Sequence, residues 1–321
     1  MKPFIVAEMS ANHLGSLERA LSIVEEAAWA GADAIKLQTW WPDSMCIDRS
    51  YVLDHGPWAG RSLFDLYREA WTPWEWHPAI FKRARELGLI PFSAAFDRES
   101  VDFLETLGVD RHKVASFEIT DLPLIRYMAS KGKGMILSLG MADPIDKWAA
   151  VDVARTCNRR VTLLHCVSAY PAAWDSFNLT AMLQTSDCLP GLSDHSLGCG
   201  VAVAAVALGA TMIEKHLTLS RADGGPDAGF SMEPAEFKQM VEECRRAALA
   251  VKGGWEAKGT TELRRSLWVT RDVAPGEPLR LGINVVTARP ELGLHPDTDL
   301  QGKTASRHLT AGMPLTQEML T

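Results

Sequence analysis

The feature that most constrains this chain is a repeated alternation. Across residues 1–255, short apolar runs recur at Phe4–Ala7, Ala34–Leu37, Leu89–Phe92, Val114–Ser116, Met135–Leu137, Val161–Leu164, Leu189–Leu192 and Thr211–Ile213. Longer amphipathic stretches separate them, among them SLERALSIVEEAAWAG, PWEWHPAIFKRARELG and VAVAAVALGA, several closed by glycine. Runs this short and apolar suit strands buried on both faces, and the intervening stretches carry helical spacing. Eight strands alternating with helices over about 250 residues predict an α/β fold, a (β/α)8 TIM barrel. An open doubly wound sheet usually has fewer strands, and no G-x-G-x-x-G follows the first run. Leu189–Leu192 is the least strand-like run, because Pro190 and Gly191 lie inside it.

The alternation stops near residue 255. Residues 256–263 read as a linker within a stretch rich in Gly, Thr and charge. Residues 264–321 carry short β-like runs broken by Pro-Gly and Gly turns, which predicts a small β-rich C-terminal domain. That segment holds 7 basic and 6 acidic residues, so the net charge of −7 belongs to the barrel segment. With no basic block, nucleic acid is not an expected partner. No run of 18 uncharged apolar residues exists, so no membrane span is expected. MKPFIVAEMS lacks the long apolar region of a signal peptide, which predicts a cytoplasmic protein. The six cysteines form no C-x-x-C pair and read as reduced thiols; Cys166 reads as a small hydrophobe, not a nucleophile.

In a barrel of this kind, chemistry sits where strands end. Those exits carry Glu8 with Asn12 and His13, Lys36 and Gln38, Ser93, Ser116 with Glu118, and Ser138. They continue with His165, Ser168 and Tyr170, then Ser193, Asp194 and His195, then Glu214, Lys215 and His216. His195 and His216, on adjacent strands near carboxylates, suit a first-row divalent metal. Lys36 and Lys113, with Ser116, Ser138, Ser168 and Ser193, point to a small, highly charged anion such as a phosphorylated carboxylate. The aromatic segment PWAGRSLFDLYREAWTPWEW, from Pro57 to Trp76, is too long for a simple loop and predicts a pocket wall.

AEMSANHLGSLE, DAIKLQT, DRESVDFLE, KVASFEI, LLHCVSAYP, GLSDHSLG, AAVALGATMIEKHLTL and GGPDAGFSMEP together resemble the sialic acid synthase family. The C-terminal RRSLWVTRDVAPGEPL, RPELGLHP and GMPL resemble its antifreeze-like (SAF) domain. SANH, LQTWWPDSM, LFDLYREAWTPWEWH, SAYPA and LSRADGGPD resemble the branch that makes pseudaminic acid more than those that make neuraminic or legionaminic acid. The resemblance implies a metal-dependent enzyme, using Mn2+, Mg2+ or Co2+. It would condense phosphoenolpyruvate with an N-acetylated amino sugar, here 2,4-diacetamido-2,4,6-trideoxy-L-altrose, and release phosphate by C–O cleavage. It assigns Lys36, Lys113, Ser116, Ser138, Ser168 and Ser193 to phosphoenolpyruvate, and Glu8, Gln38, Tyr170 and Asp227 to the sugar. Glu8, Glu118 and Glu214 are the implied catalytic carboxylates, with Glu118 the candidate for proton transfer or water activation and Glu214 for electrostatic support. The division of roles among the three is left open by the sequence, and His195 and His216 are implied as metal ligands. Trp40, Trp41 or Trp58 would supply an apolar wall for the sugar's methyl and second acetyl groups. A domain-swapped homodimer is also implied, in which Arg289 of RPELG reaches the sugar of the partner subunit.

Overall fold

The protein is described by a computed structural model covering residues 1–157, 159–185, 187–252 and 259–321. It divides into two compact units, Met1–Lys252 and Gly253–Thr321. Of the expected linker, residues 256–258 lie outside the described residues, as do 253–255 at the end of the expected barrel segment.

The first unit is a closed barrel of eight parallel strands in sequential order. They are β1 (Phe4–Glu8), β2 (Ala34–Thr39), β3 (Ile90–Ala95), β4 (Arg111–Val114), β5 (Gly134–Ser138), β6 (Val161–Cys166), β7 (Leu189–Asp194) and β8 (Met212–His216). Closure comes from β1 pairing with β8, from Phe4 opposite Met212 to Glu8 opposite His216. Helices α1 (Leu17–Trp29), α2 (Pro42–Met45), α3 (Leu63–Ala70), α4 (His77–Glu86), α5 (Arg98–Thr106), α6 (Leu122–Ser130), α7 (Pro144–Arg155), α8 (Gly200–Ala207) and α9 (Pro234–Ala250) fill the connections. Their starts carry local signals: Ser16 caps α1, Asp97 caps α5, and Glu233 with Glu236 forms a capping box on α9. The β6–β7 connection departs from the alternation: its described residues form only the 3₁₀ turns Trp174–Ser176 and Leu179–Leu183. Among the described residues no helix is long and apolar enough to cross a membrane.

Strand parity divides the barrel into two layers. Ile5, Ala7, Ile35, Leu37, Met135, Leu137, Leu163, Leu192 and Ile213 point outward and pack beneath the helices. Val6, Ala34, Phe92, Ile136, Leu164 and Met212 point inward and form a separate apolar cluster in the barrel interior. Arg111 closes this plug, its guanidinium 4.9 Å from the Phe4 ring and 5.7 Å from that of Phe92. One or two layers further along the same inward rows stand Glu8, Lys36, Lys113, Ser138, Ser193 and Glu214. The barrel is therefore greasy at one end and charged at the other.

One strand corrects the sequence reading, and the least strand-like run is borne out. The fourth lies at Arg111–Val114, not Val114–Ser116, and Ser116–Glu118 is a 3₁₀ turn. Its RHKV sequence looks polar because Arg111 covers the plug, His112 bonds Glu105 at 2.9 Å, and Lys113 faces the charged end. The seventh is a full strand despite Pro190 and Gly191. The Pro190 carbonyl accepts from the Thr211 N–H at 2.7 Å, and Gly191 is there for space. A Cβ on it would lie 2.6 Å from Leu164 Cδ2 and 2.9 Å from the Met212 carbonyl oxygen.

The second unit pairs β9 (Ser266–Val269) with β10 (Val285–Ala288), antiparallel, over a core including Leu267, Val269, Val285, Leu309 and Leu315. Gly293, closing RPELG, lets three chain segments meet: a Cβ would stand 2.5 Å from the Leu267 carbonyl oxygen and 2.9 Å from that of Leu315. Arg289 follows β10 and is exposed.

The Gly191 contacts generate a stability prediction. Gly191→Ala should destabilise the barrel by about 1–3 kcal/mol, the usual cost of overpacking a filled interior. Urea unfolding measures it, and a variant as stable as the parent would refute the packing account.

Candidate active site

The charged end of the barrel opens into a cavity of about 420 Å³. Gln38, Lys36, Lys113, Ser116, Glu118, Ser138, Tyr170, Ser193, His195, Glu214, His216 and Asp227 line it. Strand ends and the loops that follow them thus deliver to one place twelve of the residues singled out from the sequence. Glu8 sits just behind the lining, its Oε2 2.6 Å from Lys36 Nζ and its Oε1 accepting from Gln38 Nε2 at 2.9 Å. Ser168 flanks the same floor: a Cβ on Gly140 would lie 2.1 Å from Ser168 Oγ and 2.8 Å from Ser116 Oγ. Glycine at 140 is what lets these two hydroxyls converge. Arg289 belongs to the second unit and makes no hydrogen bond or ion pair among the described residues.

The floor is a charge network. Lys36 Nζ also lies 3.7 Å from Glu214 Oε1, and Lys113 Nζ 4.0 Å from the same oxygen. Lys113 donates to Ser138 Oγ at 2.7 Å and to the Val114 carbonyl at 3.1 Å, while Ser193 Oγ donates to Glu214 at 3.2 Å. Burial opposes charge on Lys36, but Glu214 and Glu8 outweigh it and hold its pKa above the usual lysine value. Lys113 goes the other way, lowered because burial outweighs Glu214. Burial raises Glu8 against the pull of Lys36. Glu214 is equally buried, yet Lys113, Lys36 and His195 hold it low. Glu118 stands apart: burial pushes it up to about 7, with Lys113 only partly opposing, and its Oε2 has no hydrogen-bond partner.

His195 and His216 face each other with ring centroids 5.5 Å apart. His195 Nδ1 lies 2.9 Å from the Val167 carbonyl, which can only accept, so Nδ1 carries the proton and Nε2 is left free to ligate. His216 Nδ1 is buried without a hydrogen-bond partner, 3.9 Å from Asp227 Oδ2. Burial keeps His216 well below the usual imidazole pKa, hence neutral, the form a metal needs. Among the described residues no three His, Cys, Asp or Glu side chains form a metal-binding group. The pair fits an ion whose other positions go to water or substrate.

Aromatic and aliphatic side chains build the wall: Trp58, Leu63, Leu66 and Tyr67 from the predicted segment, with Trp40, Tyr51, Leu53, Phe96 and Phe230 from outside it. Trp58 packs on Tyr170 at 5.3 Å and donates to the Pro226 carbonyl at 2.8 Å, pinning its loop to the β8 side. Trp41 is not part of the wall; it stacks outside on Trp74 and Trp71, at 4.7 and 5.5 Å.

Several strand-exit residues prove structural. Asn12 donates to the Leu217 carbonyl and Ser231, His13 contacts Thr72, and Ser93 bonds Thr39. His165 holds the Phe177 carbonyl, and Lys215 pairs with Asp194 at 2.7 Å. Parity separates them: Ser93, His165, Asp194 and Lys215 each neighbour an inward residue and so face outward. The sequence reading missed Ser10, which accepts from Gln38 Nε2 at 2.9 Å. Its signal is weak, a serine with φ of 46° in the turn after β1.

With this geometry in view, comparison with known proteins decides the family. The NeuB family profile matches residues 23–256 and the SAF domain profile residues 264–321. The chain belongs to the NeuB family. It is 38% identical to a pseudaminic acid synthase of Campylobacter jejuni, covering 97% of this chain and 94% of that protein. It is 34% identical to an N,N'-diacetyllegionaminic acid synthase of Legionella pneumophila, covering 99% and 94%. A crystal structure of the N-acetylneuraminic acid synthetase of Leptospira borgpetersenii, in complex with citrate, superposes with a TM-score of 0.74 at 30% identity, covering 82% of this chain and 89% of that one.

Glu118 generates a pH prediction. Its folded pKa is pushed up to about 7, above the ordinary glutamate value of 4.5 that the unfolded chain would have. Its contribution to stability is therefore greatest below about 4.5 and is lost as pH rises through about 7. Glu118→Gln should gain stability over the parent at pH 8, with the gain fading by pH 5. Thermal melts across that range test it, and a pH-independent offset would contradict it.

Proposed function

We propose that this NeuB-family enzyme condenses phosphoenolpyruvate with 2,4-diacetamido-2,4,6-trideoxy-L-altrose, releasing phosphate and forming pseudaminic acid. The observation that carries the reading is the layering of the cavity: a Lys36, Lys113 and serine floor beneath an aromatic wall. An anion with both phosphate and carboxylate suits the floor, where two buried ammonium groups and the Gly140-cleared pair Ser116 and Ser168 stand ready. An apolar wall suits a sugar with a methyl in place of a hydroxymethyl and an extra acetyl group. The greater identity to the pseudaminic than to the legionaminic acid synthase supports the same choice.

In this reading Lys36, Lys113, Ser116, Ser138, Ser168 and Ser193 hold phosphoenolpyruvate, with Glu214 fixing Ser193 and both lysines. Gln38, Glu8, Tyr170 and Asp227 hold the open-chain sugar. The enol carbon of phosphoenolpyruvate attacks the aldehyde, water adds at C2, and phosphate leaves with its bridging oxygen. Glu118, with a pKa near 7, can donate a proton to the new alkoxide and then, as carboxylate, take one from the incoming water. His195 and His216 would hold a divalent cation, which supplies Lewis-acid polarisation of the aldehyde oxygen. Arg289 would approach the sugar from a partner subunit.

The direct test is phosphate release from phosphoenolpyruvate and Mn2+ with each candidate sugar. The trideoxy diacetamido altrose should be turned over best, and a preference for N-acetylmannosamine would reverse the assignment. With the bridging oxygen labelled, the label should leave in phosphate. Lys113→Ala should raise the KM for phosphoenolpyruvate by about tenfold to a hundredfold, the range for a charge-assisted bond, and leave the sugar KM nearly unchanged. Equal changes in both constants would count against the floor assignment. Mixing an Arg289→Ala subunit with a His216→Ala subunit should restore activity if sites are shared between chains. Subunit exchange seen by mass spectrometry without recovered turnover would exclude sharing.

A further inference from the structure

Ser10 holds a backbone conformation that its own side chain opposes. Its φ is 46°, in the left-handed region, where a Cβ crowds the following carbonyl oxygen and glycine is the residue free of strain. Such a residue persists only where its surroundings over-determine it. Here they do. Asn12, two residues on, donates through Nδ2 to the Leu217 carbonyl at 3.0 Å and to Ser231 Oγ at 2.9 Å, clamping the turn after β1 to the segment after β8. Glycine would take this turn with less strain, so the hydroxyl is what serine adds at position 10.

Ser10 lines the cavity, and its Oγ accepts from Gln38 Nε2 at 2.9 Å. The same amide nitrogen donates to Glu8 Oε1, also at 2.9 Å. Glu8 is ion-paired with Lys36 and accepts, so the amide nitrogen must face it, and Ser10 takes the second proton. The orientation of Gln38 follows: nitrogen toward β1 and its turn, Oε1 away from them. That oxygen makes no hydrogen bond among the described residues and is not sealed off from solvent, and Gln38 lines the cavity. Having accepted from Gln38, the Ser10 hydroxyl keeps its own proton for the Asp227 carboxyl beside it, whose Oδ2 also lies 3.5 Å from the Ala11 N–H. One hydroxyl thus touches two of the side chains assigned to the sugar.

We propose that Ser10 is a positioning residue for the sugar: its hydroxyl holds the Gln38 amide with Oε1 presented to the cavity, where that oxygen accepts from an N–H or O–H of the substrate. The inference rests on the reading above, in which Gln38 and Asp227 hold the sugar, and adds the residue that aims them. Without the hydroxyl, Gln38 keeps only its bond to Glu8 and can swing about it. A turned amide would set its own N–H against the donors of the sugar. SANH, one of the segments that resemble the pseudaminic branch, begins at this serine.

The test pairs Ser10→Gly with Ser10→Ala. Both lose the hydroxyl, and only alanine keeps a Cβ on the left-handed backbone, so the glycine variant should melt at the higher temperature. The KM for the diacetamido sugar should nonetheless rise in both by about threefold to tenfold, the worth of one ordinary hydrogen bond. The KM for phosphoenolpyruvate should stay nearly unchanged. A sugar KM that keeps the parent value in Ser10→Gly, or that follows melting temperature from one variant to the other, would show a backbone role alone and overturn the proposal. A double-mutant cycle gives the second measurement. If Ser10 acts through Gln38, adding Ser10→Gly to Gln38→Ala should raise the sugar KM no further. Fully additive losses would also overturn it. A parent enzyme that turns over N-acetylmannosamine and not the diacetamido sugar is a separate outcome. It overturns the functional reading, and the same cycle run on that sugar still decides whether Ser10 aims Gln38.

Discussion

Burying two lysines and two glutamates in the mouth of a barrel is tolerable only because each lies within reach of the others. An isolated ion there would cost several kcal/mol, and the contacts of Lys36 with Glu8 and Glu214, at 2.6 and 3.7 Å, offset that cost. The compensation depends on closure. Pairing of β8 with β1 sets Glu214 opposite Val6 and His216 opposite Glu8, so the last strand supplies the counter-charge that the first two need. An open sheet of the same strands would leave Lys36 with a single partner. Fold and site are in this sense one constraint, with the apolar plug below and the charge network above set by the same inward rows.

The balance also shapes the chemistry. Lys36 is committed to carboxylates, whereas Lys113 is held mainly by a hydroxyl and a carbonyl and has its ammonium form disfavoured. It is the cation that gains most from an arriving anion. Glu118 lies outside the tight network, so burial rather than a partner sets its affinity for a proton. A group with that freedom can exchange protons near neutrality, and Glu8 and Glu214, locked to lysines, cannot do so without disrupting the floor.

Much of this was readable in advance because barrel strands alternate sides. The eight apolar runs marked the ring, and the lysines, serines and histidines beyond them marked its working end. Reading stopped short where a residue's role depends on three-dimensional neighbours. RHKV hid β4 because its polarity is spent on Phe4, Glu105 and the floor. Pro190 and Gly191 make the seventh run the least strand-like in sequence, and the reason for the glycine shows only when Leu164 and Met212 are seen to crowd it. Asp194 and Lys215 stand among the polar strand exits in sequence, yet they form a buried pair one register off the inward rows. Trp40 and Trp41 are adjacent and chemically identical, and only packing sends one to the cavity and the other to an external stack.

The apolar plug has one more consequence. Val6, Ala34, Phe92, Ile136, Leu164 and Met212 stop the barrel at its base, so the cavity is a shaft with a single opening rather than a tunnel. Traffic in such a shaft is last in, first out. In the reaction proposed above, the molecule on the lysine floor would then arrive before the one at the aromatic level, and the small fragment left on the floor would leave after the larger product above it.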